Sequence, residues 1–191
     1  MKAYVSTRSE VVRLFEETAA ALGCADVLVN NAGLNIDGPF LEMTDQQWHT
    51  VVSTILTGTF LCSQEFARRF RGKEGHIVNI GALTAFRGRK NGANYCSARA
   101  GVIALSKCLA QELAPRRIRV NCVVPGWINT EEVMERYELR RPENLQRALD
   151  TVPLRRLGTP ADVFTMIDFI VNHSEYITGH TFFVDGGYLM Y

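Results

Sequence analysis

The chain has 191 residues, 21 basic against 20 acidic side chains, a formal net charge of +1 and 47% hydrophobic residues. That size suits one domain over residues 1–191 with a real core, and the balanced charge gives no electrostatic footprint for a nucleic-acid partner. No stretch approaches the roughly 20 apolar residues of a membrane span, so no membrane contact is expected. The N-terminus has no signal-like apolar segment. Five scattered cysteines (Cys24, Cys62, Cys96, Cys108, Cys122) form no C-x-x-C pair, which predicts reduced, mostly buried thiols in a cytoplasmic protein. The four histidines show no metal-ligand spacing, and no metal site is expected.

Val11 to Leu22 carries apolar residues at helical spacing, and Val27–Asn30 predicts a short buried strand. Thr44 with Gln47 three residues on reads as a capped helix start, leading through Trp48, Val51, Val52, Leu56, Phe60 and Leu61. Residues 76–80, between two glycines, form a second strand. Residues 94–114 form a helix with a stripe of Ala98, Val102, Leu105, Leu109 and Leu113, ended by Pro115. Residues 119–124 give a third strand, stopped by Pro125 and Gly126. The polar stretch 136–150, bracketed by Pro142 and Pro153, reads as a mobile helical lid. Thr159 and Pro160 open a last helix through Val163, Met166, Ile167 and Ile170. Residues 181–185, closed by Gly186 and Gly187, are the fourth strand.

Alternating strands and helices predict an α/β fold with a doubly wound parallel sheet, its apolar strands covered on both faces. In such a sheet, ligands bind beyond the carboxyl ends of the strands. Chemistry is therefore expected at residues 31–33, 81–84, 125–130 and 186–187.

The segments at residues 26–33, 56–60, 75–80, 94–98, 118–121 with Pro125 and Gly126, and 177–179 with 184–187 resemble the short-chain dehydrogenase/reductase family in content and order. The likeness is especially to its oxoacyl-reductase-like and sugar- or alcohol-dehydrogenase-like members. The resemblance implies a Rossmann-like sheet, NAD or NADP as cofactor, and hydride exchange with the carbonyl or alcohol of a small-molecule substrate. It implies that Asn31, Ala32 and Gly33 line the cofactor's ribose side, and that Pro125, Gly126, Ile128 and Thr130 border the nicotinamide. It also implies a homo-oligomer, a dimer or tetramer, built through the long helices and the C-terminal strand. The apolar tail from Gly186 to Tyr191 suits burial against a neighbour.

Departures from the family pattern matter as much. No glycine-rich turn precedes the segment at residues 3–6, and Tyr4 stands where an aspartate is usual. The expectation is an incomplete domain lacking the first βαβ unit, with weak anchoring of a pyrophosphate. The strand at Val27–Asn30 then needs cover from residues 2–6 or from a partner chain, or the product is marginally stable. Of the family's four catalytic positions, Tyr95 keeps the tyrosine. Arg99 replaces a lysine four residues on, Ala82 a serine and Ile55 an asparagine. Arg99 is either a surface cation over its own helix or a ribose contact. Thr84 is a candidate stand-in for the serine, and Ser97 an ordinary helix-surface residue. The chain is thus expected to be an oxidoreductase by family but inactive or strongly impaired. A non-catalytic subunit or pseudoenzyme is the alternative.

Overall fold

The computed structural model describes residues 2–190. Four parallel strands, β1 (Val27–Asn30), β2 (Gly75–Ile80), β3 (Ile118–Pro125) and β4 (Thr181–Val184), lie side by side in that order. Successive side chains of the inner strands point to opposite faces. Ile77, Ile118 and Val120 meet Phe66, Ala67 and Ala110 of helices α3 (Gly58–Arg69) and α5 (Ala93–Leu113). Val78, Ile80 and Val123 meet Ile170 of the last helix, α8 (Pro160–Asn172), on the other side.

The expected cover on both faces holds for β2 and β3 and fails for β1. Leu28 packs toward α3 and helix α1 (Arg8–Leu22), but Val27 and Val29 remain 40% and 41% exposed. Residues 2–6 do not move in beside β1, which is an outer strand among the described residues. Val5 instead seats on Gly58 of α3, where a Cβ would meet its Cγ2 at 2.8 Å. It joins Val11, Leu61 and Cys62 there.

The sequence signals for helix starts are realised in detail. Thr44 accepts from Gln47 N (3.2 Å) and Gln47 Oε1 accepts from Thr44 N (2.9 Å), closing a capping box on helix α2 (Asp45–Val52). Thr159 and Asp162 do the same for α8. The single helix expected after Thr44 is interrupted by a π-helical turn, Ser53–Thr57, before α3 begins. After β2 comes one short turn, helix α4 (Thr84–Arg87). The stretch read as a lid, 136–150, starts at the last residue of helix α6 (Glu131–Arg136), which Thr130 caps, and ends with helix α7 (Pro142–Asp150), opened by Pro142. Leu139 between them and Ala148 are buried at 2% and 5% exposure, so the segment is anchored in the core.

The apolar tail turns back on its own chain. Gly186 and Gly187 take φ of 66° and 86°, a region that favours glycine. The Asp185 carboxylate then accepts from Gly187 N (2.9 Å) and Leu189 N (2.8 Å). Tyr188 and Leu189 pack on Leu83, Ile103, Cys122 and Val124, while Met190 is exposed; Tyr191 lies outside the described residues.

All five thiols are free, but only Cys62 and Cys122 are buried; Cys24 and Cys108 are exposed, correcting the expectation of mostly buried cysteines. Burial pushes the Cys62 thiol up to about 11 and the Cys122 thiol up to about 12. Thiolates, not thiols, react with alkylating reagents. Mass spectrometry after brief maleimide treatment of the native chain will therefore find Cys24 and Cys108 modified, and Cys62 and Cys122 only after unfolding.

His76 is buried (8% exposed) with no partner for Nδ1 among the described residues; burial, and secondarily the charge of Arg119, hold its imidazole below the ordinary 6.5. As pH falls through that value the unfolded chain takes up a proton that the folded chain refuses, so stability drops on the acid side. Urea midpoints measured between about pH 7 and pH 5 will fall less in His76→Gln than in the parent chain.

Candidate active site

The carboxyl ends of β1, β2 and β3 open onto one crevice, and α5 delivers side chains into it. The start of α5 is fixed by Asn94, fully buried, whose Nδ2 donates to Ile36 O (2.9 Å) and Gln47 O (3.3 Å). Its Oδ1 accepts from Tyr95 N at 2.7 Å. Tyr95, in the first turn of the helix, packs on Val51, Ile55, Ala98 and Val102.

One turn further, Arg99 is 6% exposed and reaches the end of β2, where Nη1 donates to Ile80 O at 2.6 Å. Its guanidinium centre lies 5.3 Å from the Tyr95 ring centroid, within cation–π range. A Cβ at Gly33 would collide with Nη2, so this glycine is what admits the guanidinium beside the loop after β1. Arg99 is therefore a buried residue of the crevice, and the reading of it as a surface cation is overturned. Its Nε is buried with no partner among the described residues.

The other two replacements are apolar in fact as well as in sequence. Ile55 sits in the π-helical turn with no solvent exposure, its side chain in the Val51–Val102 cluster and its carbonyl accepting from Thr59 Oγ1 at 2.7 Å. Ala82 lines a cavity of about 280 Å³ together with Thr84, Tyr95, Pro125 and Gly126. Thr84 Oγ1 is buried there without a partner among the described residues, whereas Ser97 is exposed on the helix surface.

Tyr95, Pro125 and Gly126 share this cavity, with Arg99 against the Tyr95 ring. Asn31, Ala32 and Gly33 are exposed on the loop after β1, on the Gly33 side of Arg99. Ile128 and Thr130 do not line this cavity. Ile128 turns its side chain onto Gly158 and lines a separate cavity of about 480 Å³ beneath Gly186 and Gly187. The Thr130 hydroxyl accepts from Val133 N (3.4 Å) as the cap of α6. The residues fit a nicotinamide dinucleotide on its ribose side: an open loop at residues 31–33 stands beside a buried Arg99 donor that lacks an acceptor.

Arg89 is the member of the site that sequence reasoning passed over. It lines the cavity 5.3 Å from the Tyr95 ring and donates to the Tyr137 hydroxyl (2.8 Å), Asn35 Oδ1 (3.1 Å) and Asp37 Oδ1 (2.6 Å). The available signal was the basic run Arg87, Arg89 and Lys90 directly after one of the crevice loops.

Comparison with known proteins agrees with this geometry. A family model described as Enoyl-(Acyl carrier protein) reductase matches residues 1–189. Nodulation protein G of Rhizobium sp. (strain N33) is 38% identical over 190 residues, 98% of this chain and 76% of the relative. A 3-oxoacyl-(acyl-carrier-protein) reductase of Synechocystis sp. is 38% identical over 194 residues, 100% of this chain and 76% of the relative. A solved short-chain dehydrogenase/reductase from Brucella melitensis, titled a glucose/ribitol dehydrogenase, superposes with a TM-score of 0.91 at 30% identity, covering 100% of this chain and 76% of its own. No helix among the described residues is long and apolar enough to cross a membrane. With its parallel Rossmann-like sheet and a tyrosine at the mouth of the crevice, the chain belongs to the short-chain dehydrogenase/reductase family of NAD(P)-dependent oxidoreductases.

Proposed function

We propose that the Tyr95 cavity is a carbonyl or alcohol site in which hydride transfer is strongly impaired, so that the chain is a pseudoenzyme or nearly one. The reading includes a cytoplasmic, self-associating chain; Phe60, 39% exposed on α3, supports an uncovered helical face. A bound nicotinamide would supply or accept the hydride, with Asn31, Ala32, Gly33 and Arg99 on its ribose side and Pro125, Gly126, Ile128 and Thr130 around the ring.

The observation that carries the reading is the hydrogen bond from Arg99 to Ile80 O. Tyr95 has to exchange a proton with the substrate oxygen and then recover it. A lysine at position 99 can pass protons along a chain of hydroxyls and water. A guanidinium stays protonated, and this one is committed to a backbone carbonyl. Ala82 gives the substrate oxygen no donor, a loss typically worth about 3 kcal/mol of barrier in comparable sites. Ile55 supplies no polar side chain to hold a relaying water.

A second reading rests on Thr84, whose unpartnered hydroxyl lies in the same cavity and offers the donor that Ala82 lacks. Under that reading the residual turnover runs through Thr84, and Thr84→Val abolishes it.

The test is reduction of small ketones followed by loss of NADH and NADPH absorbance. The parent chain will turn over slowly, and Ala82→Ser will raise the rate by about tenfold or more. A parent rate matching ordinary family enzymes, or no gain from the serine, overturns the proposal.

A further inference from the structure

Four buried side-chain polar atoms lack a partner among the described residues: His76 Nδ1, Thr84 Oγ1, Arg89 Nε and Arg99 Nε. Folded proteins leave few such groups, and each calls for an explanation. Three of the four belong to residues gathered around Tyr95. Thr84 and Arg89 line its cavity, and the Arg89 and Arg99 guanidinium centres both lie 5.3 Å from its ring centroid. His76 alone lies elsewhere, near the start of β2.

The cavity is also one-sided in charge. Arg87, Arg89 and Arg136 line it against the single carboxylate of Glu132. Asp37, which does not line it, pairs with Arg89 (2.6 Å) and Arg136 (3.3 Å), leaving three cations to two anions in the cluster. Arg89 is held before any ligand arrives: its side chain is only 15% exposed, and Tyr137, Asn35 and Asp37 take up three of its four Nη–H donors. A cation already immobilised costs little further entropy when it binds. At about 280 Å³ the cavity stands near the small end of the roughly 300–1,000 Å³ typical of ligand pockets.

Resting on the reading of this cavity as a carbonyl or alcohol site, we infer that its ligand is a small oxo- or hydroxy-acid whose carboxylate is held by Arg89. The Thr84 and Tyr95 hydroxyls are left for the ligand's carbonyl or hydroxyl oxygen. Arg89 lines the cavity with one Nη–H still unassigned, and an ionised carboxylate is the acceptor that gains most from a guanidinium. A neutral ketone of the same shape leaves that donor unanswered and the excess positive charge uncompensated.

The experiment compares 4-oxopentanoate with 4-oxopentanamide, matched in size and differing in charge, by calorimetry or ligand-observed NMR on the full chain without coenzyme. The acid is expected to bind roughly tenfold more tightly than the amide, the margin of one charge-assisted hydrogen bond. Arg89→Gln is expected to erase the difference, while the exposed Arg68→Gln on α3 retains it. Because losing the Asp37 pair can unfold the Arg89→Gln chain, Arg89→Lys, which keeps the charge and removes the guanidinium fork, provides the second variant. It is expected to narrow the difference severalfold. Equal binding of acid and amide by the parent chain overturns the inference, as does an undiminished preference in either folded Arg89 variant. Failure of hydride transfer in the coenzyme assay leaves this result unaffected, since binding is read with no coenzyme present.

Discussion

Asn79 donates to Ser106 Oγ (2.8 Å) and accepts from Asn30 (2.8 Å), whose amide also reaches Ser63 Oγ (3.0 Å), so one buried line of polar groups joins β1, β2, α3 and α5. Ser106 hands the line on to Val102 O at 2.7 Å. Polar groups at this depth are costly unless every partner is in place, and in place they specify a single arrangement. A slip of β2 by one residue would turn Asn79 to the opposite face and break its bonds to Asn30 and Ser106. The height of α5 against β2 follows from this line, and with it the reach of Arg99 to the Ile80 carbonyl. The crevice chemistry is thus built on a polar core, and the apolar clusters fill the space around it.

What could be read in the amino-acid order is what is decided locally. The capping boxes at Thr44 and Thr159 depend on residues three apart, and both form as read. The four apolar strands needed only short runs, three of them bounded by glycine or proline, and each lies within a residue of its expected span. The bare face of β1 was invisible because Val27 and Val29 look like any core valines; only the position of α8 over β2 and β3 exposes them. The π-helical turn was equally hidden, since apolar spacing runs through it without a break.

The site divides in the same way. Tyr95 was recognisable from its motif, and Arg99 from its place one turn later on the same helical face. Whether a guanidinium at that place meets solvent or a strand end depends on Ile80 and Gly33, distant in sequence, and periodicity carries no information about either. Arg89 was missed for the opposite reason. A basic run in a loop is ordinarily solvated, and here Asp37, Asn35 and Tyr137, from two separate segments, draw one of its members inward.

The closeness of Arg99 to Gly33 ties two positions of the chain into a shared volume. Residue 33 can carry a side chain only if the head group of residue 99 moves aside or is given up. A shorter residue at 99 in turn leaves a hollow beside the first crevice loop. Among descendants of this sequence the two sites should drift together, with bulk appearing at one only when it has been surrendered at the other.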